Sequence, residues 1–176
     1  MPPDYNFTSA VPDESHVFGA AGPRTSMPGD VDAWVRFASA RGIERVICLL
    51  EDCTLLALAY DAHFGAENVL HLRIADVGVP TAEQLSRAVA FIDGSVAEDR
   101  TVVVHCMAGM GRTSIVLAAW LVRSRGYDIA AVDEALRSTG AIRRLYEKVE
   151  WGVISRDDLH ALITGTPPNG VNAGVP

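Results

Sequence analysis

Three consecutive valines, Val102 to Val104, run into His105-Cys106-Met107-Ala108-Gly109-Met110-Gly111-Arg112-Thr113-Ser114, and an apolar helical pattern from Ile115 to Val122 follows at once. A β-branched run reads as a buried strand, and the two glycines permit backbone conformations that side chains resist. The stretch therefore predicts a strand, a tight loop and a helix N-terminus in immediate succession. At such an N-terminus the first amides lack intrahelical partners, and the positive end of the helix dipole favours an anion. Cys106 opens this loop and Arg112 closes it. The expectation is a cradle that holds a phosphate-like oxyanion against a sulfur.

The residue types define the chemistry. Only a thiolate attacks well, and thiols at helix N-termini beside cations ionise at roughly pH 3.5–7.5 rather than near the ordinary value of about 8.5. Arg112 offers a planar fork to two oxygens of a tetrahedral anion, which a lysine cannot match. The Thr113 hydroxyl is placed to donate to the sulfur as it leaves. His105 is read as positioning the cysteine backbone, because a thiolate needs no base. The loop from Met107 through Ala108, Gly109, Met110 and Gly111 to Arg112 is expected to bind the phosphate. A strand-to-helix turn with an inert buried cysteine is the bland alternative, and the pairing of Cys106 with Arg112 argues against it.

Taken together, His105-Cys106-x-x-Gly109-x-x-Arg112-Thr113 resembles the active-site signature of the cysteine-based protein tyrosine phosphatase superfamily. The resemblance implies hydrolysis of a phosphomonoester through a phosphocysteine on Cys106, with no cofactor.

The chain has 176 residues, enough for one domain with a substantial core. Its formal charge of −7 argues against a nucleic-acid or anionic-membrane binder. Three cysteines, Cys48, Cys53 and Cys106, imply no disulfide framework and favour a reducing compartment. Neither a signal-peptide pattern nor a membrane-length apolar run is present, which makes the cytoplasm the expected location. The other histidines, His16, His63, His71 and His160, lack ligand spacing, so no metal is expected.

Strand and helix patterns alternate along the chain. Strands are expected at Tyr5–Thr8, Ser15–Gly19, Arg45–Leu50 and Val69–Ile74. Helices are expected from an Asp30 cap to Gly42, over Leu55–Phe64, after a Thr81 cap, from the signature loop to Arg125, from Asp128 to Ser138, over Ala141–Glu150 and from a Ser155 cap to Ile163. This order implies a single-domain α/β three-layer sandwich, a central mostly parallel sheet flanked by helices, over residues 1–163. Residues 164–176, rich in Gly, Pro and Asn, read as a disordered tail. Catalytic loops of such folds gather at the carboxyl ends of the strands. The loops after Leu50, after Ile74 and after Val104 all qualify.

That argument selects Asp76, which lies beside Gly78 and Pro80 in the loop after Ile74. Phosphoryl transfer to a thiolate needs an acid for the departing oxygen and then a base for water, and one carboxyl group serves both. Asp52 is the second candidate, and Asp99 sits too near the start of the signature strand. Ile74-Ala75-Asp76-x-Gly78-x-Pro80 resembles the general-acid loop of compact dual-specificity phosphatases, nearest to the kinase-associated phosphatase type, as does Gly140-Ala141-Ile142. The resemblance spans about Ser15 to Trp151 and implies a phosphorylated protein as substrate. Lysines that often mark the loop in phosphoinositide phosphatases are replaced by Met107, Ala108 and Met110. A small-molecule or lipid phosphate remains an alternative substrate, and a phosphoprotein-binding module of the same fold an alternative function. Arg143 and Arg144 read as a solvated helix face or as contacts to a second acidic group. Cys53 is a candidate redox partner for Cys106, whereas Cys48 reads as a buried hydrophobe.

Overall fold

The computed structural model describes residues 4–25, 27–52 and 54–166. The valine run forms a strand whose five residues are all buried, and its alternation feeds two separate cores. Val102, Val104 and Cys106 join one core, while Val103 joins the other and His105 packs there against Trp34 and Tyr60. A strand apolar on both faces has to be covered on both, which places it in the middle of a sheet. Among the described residues the sheet has five strands, β1 (Thr8–Ser9), β2 (Val17–Ala21), β3 (Arg45–Cys48), β4 (Val69–His71) and β5 (Val102–Cys106), in the order β1-β2-β5-β3-β4. β2, β5, β3 and β4 are parallel, and β1 alone runs antiparallel, on β2.

Helices α1 (Pro28–Ser39) and α2 (Thr54–Phe64) cover one face. The other is covered by α3 (Ala82–Ala97), α4 (Gly111–Arg125), α5 (Val132–Arg137) and α7 (Arg156–Thr164), while the single turn α6 (Glu147–Glu150) lies by the carboxyl ends of the strands. The expected three-layer α/β sandwich is therefore the observed fold. α4 is buried continuously from Gly111 to Leu121, and Gly126, left-handed at φ +72°, ends it. The Thr81 capping box forms with Gln84, and Ser155 caps α7 through the Asp158 amide at 3.0 Å.

Several boundaries differ from expectation. Tyr5 and Asn6 both have φ +51°, so pairing starts only at Thr8, and β2 runs later than Ser15–Gly19. α1 starts at Pro28 behind Met27 rather than at Asp30, because proline presets the first helical φ and needs no amide partner. Asp128 folds its carboxylate onto the Ala130 amide (2.9 Å), which delays α5 to Val132. β3 and β4 end at Cys48 and His71, short of the expected Leu50 and Ile74. The carbonyls of Leu49 and Ile74 have left the sheet to accept from Arg112. The helix expected over Ala141–Glu150 shrinks to α6, since residues 142 and 143 bind the signature loop and its neighbours instead. Cys53 and residues 167–176 lie outside the described residues.

Trp34 ties the sheet to α1. Wholly buried, it donates its indole N–H to the Ala21 carbonyl (2.8 Å) and packs on Tyr60 and on His105, with ring centroids 5.0 and 4.8 Å away. Trp34→Ala should lower the unfolding free energy by about 3–5 kcal/mol in a urea titration. A loss under about 1 kcal/mol would mean that this contact does not hold the layer.

Candidate active site

The signature loop leaves β5 and bends over the end of β2. Gly109 has φ +68°, and a Cβ there would come within 2.5 Å of the Ala20 carbonyl, so glycine is required by both conformation and space. The Gly22 amide donates to the Cys106 carbonyl at 2.7 Å and fastens the loop's start. Cys106 is 3% exposed, and its Sγ accepts from the Thr113 hydroxyl at 3.2 Å. The first amides of α4 follow, with the free N–H groups of any helix start.

Arg112 is buried and reaches out of α4 to the ends of two other strands. Its Nη1 donates to the carbonyls of Ile74 (2.9 Å) and Leu49 (3.3 Å), and its Nη2 donates to the Asp76 carboxylate (2.5 Å). The Asp76 side chain is 79% exposed, so this carboxyl is tethered on one side and free to turn on the other. Asp76, Cys106, Arg112, Glu147, Lys148 and Trp151 line a common cavity of about 250 Å³. A larger apolar cavity beside Val79, Pro80 and Leu162 contains none of the candidate chemical groups.

His105 is fully buried between Trp34 and Tyr60. Loss of hydration pulls its pKa from 6.5 to about 3, against a backbone hydrogen bond at Cys106 that favours the charged form. The imidazole is therefore neutral at pH 7, packed on the face of β5 opposite the Cys106 side chain. Its carbonyl accepts from the Leu49 amide at 2.9 Å.

Arg143 corrects the expectation of a solvated helix face or a substrate contact. It is buried and turned inward, with Nη1 on the Gly109 carbonyl (2.5 Å) and Nη2 on the Gly19 carbonyl (2.9 Å) and the Thr8 hydroxyl (3.1 Å). Burial brings its pKa down to about 10, with Cys106 opposing the shift, so it stays charged at neutral pH. Arg144 does lie at the cavity mouth, paired with Glu150 at 2.8 Å and Glu147 at 3.7 Å. Asp52 is exposed, accepts from the Thr54 amide and is not among the cavity's lining residues. Asp99 pairs with His16, next to the residues that start β2 and β5. Cys48 is fully buried in β3.

Sequence reasoning overlooked four residues. The Asn6 side-chain amide donates to the carbonyls of Ala108 (3.2 Å), Gly109 (3.3 Å) and Ile142 (3.0 Å) and accepts from the Ile142 amide, clamping the loop from the far end of the chain. Glu147, Lys148 and Trp151 form one wall of the cavity. Asn6 carries no sequence signal, but Lys148 had one, being the single lysine of the chain.

Residues 19–126, well over half of the chain, match the family model described as "Tc-R-P: Polymorphic toxin system, DSP-PTPase phosphatase". The human dual specificity protein phosphatase 12 is 30% identical over 96 residues, 53% of this chain and 28% of that protein. The uncharacterized protein MJ0215 of Methanocaldococcus jannaschii is 45% identical over 51 residues, 29% of this chain and 32% of that one. The chain thus spans about a third or less of the curated relatives' lengths. Among solved structures, the active form of Tk-PTP superposes with a TM-score of 0.62 at 29% identity, covering 78% of this chain and 88% of the other. Human DUSP28 shares the fold, with a TM-score of 0.63 at 15% identity, covering 94% and 96%.

The neutral His105 carries a pH signature. The unfolded chain takes up a proton near pH 6.5, whereas the native protein does so only near pH 3. Stability present above pH 6.5 is therefore lost as the pH falls toward 3, by at most about 1.4 kcal/mol per pH unit from this group. His105→Phe should flatten the slope of unfolding free energy against pH across that window by about one proton relative to the parent. Equal slopes in denaturant titrations of the two proteins would contradict a neutral buried imidazole.

Proposed function

Because the chain belongs to the DSP-PTPase phosphatase family of polymorphic toxin systems, we propose that it dephosphorylates proteins, at tyrosine and at serine or threonine, through a phosphocysteine on Cys106. The observation that carries this reading is the convergence of the Cys106 sulfur, the Arg112 fork and the Asp76 carboxyl in one cavity.

In the first step the Cys106 thiolate attacks phosphorus, the S–P bond forms and the P–O bond breaks. The departing oxygen takes the proton of the Asp76 carboxyl. The incoming phosphoryl group takes over the Arg112 fork, which frees the Asp76 side chain to turn toward that oxygen. In the second step water attacks phosphorus while the Asp76 carboxylate accepts its proton. The S–P bond breaks, inorganic phosphate leaves, and the Thr113 hydroxyl stabilises the returning thiolate. The loop amides from Met107 to Arg112 and the helix dipole hold the equatorial oxygens throughout.

The cavity's charge supports a simple phosphomonoester over a polyphosphorylated lipid. Its cations beyond Arg112 are Arg144 and Lys148, and the carboxylates of Glu147 and Glu150 match them. Met107, Ala108 and Met110 add no charge. The scarcity of cysteines suits a reducing compartment, and we place the reaction in the cytoplasm.

Cys106→Ser should abolish turnover of an aryl phosphate while vanadate still binds, and Arg112→Lys should lose most turnover because the fork is gone. Asp76→Asn should lower kcat/KM by roughly 10²–10⁴-fold for a phosphotyrosyl peptide, and far less for 4-nitrophenyl phosphate, whose leaving group needs little protonation. Near-normal turnover in Cys106→Ser would overturn the phosphocysteine route. Equal small effects of Asp76→Asn on both substrates would remove Asp76 as the acid.

A further inference from the structure

The chain carries fourteen arginines but a single lysine, and that lysine, Lys148, is 2% exposed in the wall of the candidate active site. Lysine is almost never fully buried, because taking an ammonium out of water costs several kcal/mol unless partners replace the solvent. Lys148 has three. Its Nζ donates to the main-chain carbonyl of Asp76 at 2.8 Å, lies 3.3 Å from Glu147 Oε1, and stands 4.0 Å from the centre of the Trp151 ring. A compact ammonium with three N–H groups can meet a carbonyl, a carboxylate and a ring face at once. A planar guanidinium cannot arrange its donors that way.

We propose that Lys148 is a positioning residue that holds the Asp76 backbone in place when phosphate binds, so that the Asp76 carboxyl stays within reach of the leaving oxygen. The proposal rests on Asp76 acting as the general acid. Without substrate, Arg112 holds this loop twice, at the Ile74 carbonyl and at the Asp76 carboxylate. A bound phosphoryl group competes with that carboxylate for the Arg112 fork, and the side-chain tether is lost at the moment of reaction. Lys148 binds the carbonyl of the same residue, not its carboxylate, so its hold survives the exchange. Glu147 orients the ammonium and balances its charge, and the Trp151 ring covers it from solvent. Hydrophobic burial alone would be served as well by methionine.

Lys148→Met tests this through kcat/KM, which reports the step that expels the leaving group. For a phosphotyrosyl peptide the loss should be on the order of 10- to 100-fold, a part of what the acid itself contributes. For 4-nitrophenyl phosphate the loss should be several-fold smaller, and vanadate affinity should follow the parent. Combined with Asp76→Asn, the Lys148→Met substitution should add less than about 2-fold, because a positioning residue has nothing left to position. Should Lys148→Met fail to fold, Lys148→Gln keeps one N–H for the carbonyl and should show the same leaving-group pattern with a smaller loss. Equal losses on both substrates, or losses that multiply in the double variant, would overturn the role of Lys148. If Asp76→Asn itself shows no leaving-group dependence, the failure belongs to the assignment of the acid instead.

Discussion

One guanidinium ties the carboxyl ends of three parallel strands together. Arg112 extends from the first turn of α4, which follows β5, and donates to the carbonyl of Leu49 beyond β3 and to that of Ile74 beyond β4. Both carbonyls lie past the strand ends, and among the described residues Arg112 is their donor, so losing it would cost about 1–3 kcal/mol each. The same side chain meets the Asp76 carboxylate at the cavity. Folding therefore aims a buried arginine into the cavity that it shares with Cys106 and Asp76, and its partners lie at the ends of the parallel strands.

A second set of contacts holds the loop from the opposite side. Arg143 binds the Gly109 carbonyl from beneath, and Asn6 binds the Ala108 and Gly109 carbonyls from the N-terminal turn. Both sets of donors meet loop carbonyls, so two carbonyls of the loop are satisfied away from the Cys106 sulfur. Gly109 is indispensable to that geometry because its α-carbon lies against the β2 backbone. His105 fills the opposite face of β5 as a neutral ring, packed on Trp34 and Tyr60, because burial strips the hydration its charged form would need.

The carboxylates and cations around the cavity are arranged in pairs that share members. Arg112 pairs with Asp76, Lys148 with Glu147, and Arg144 with both Glu147 and Glu150. Only the Lys148–Glu147 pair is buried on both sides, and such a pair contributes little net stability but holds its groups in register. Here the registered object is the loop that carries Asp76, grasped through its side chain by one cation and through its backbone by another.

Local sequence was sufficient to read the strand–loop–helix unit from Val102 to Arg125, the Thr81 and Ser155 caps, the alternation that makes an α/β sandwich and the meeting of Cys106, Arg112 and Asp76 at strand ends. Each rests on a short-range rule: β-branched runs, capping residues, glycine turns, and the topology of parallel sheets. Strand ends at Cys48 and His71 could not be read, because a distant arginine holds the carbonyls of Leu49 and Ile74, inside the expected strands, away from the ladder. Arg143 was misread for a related reason, since two adjacent arginines on an expected helix look solvated until the Gly109 and Gly19 carbonyls are known to face one of them. Asn6 gave no sign at all, and Lys148 gave only its uniqueness. Chemistry written in adjacent residues was legible from the sequence, whereas the partners of buried charges were decided by the tertiary structure, because long side chains satisfy their hydrogen bonds across distances in the chain that no local pattern spans.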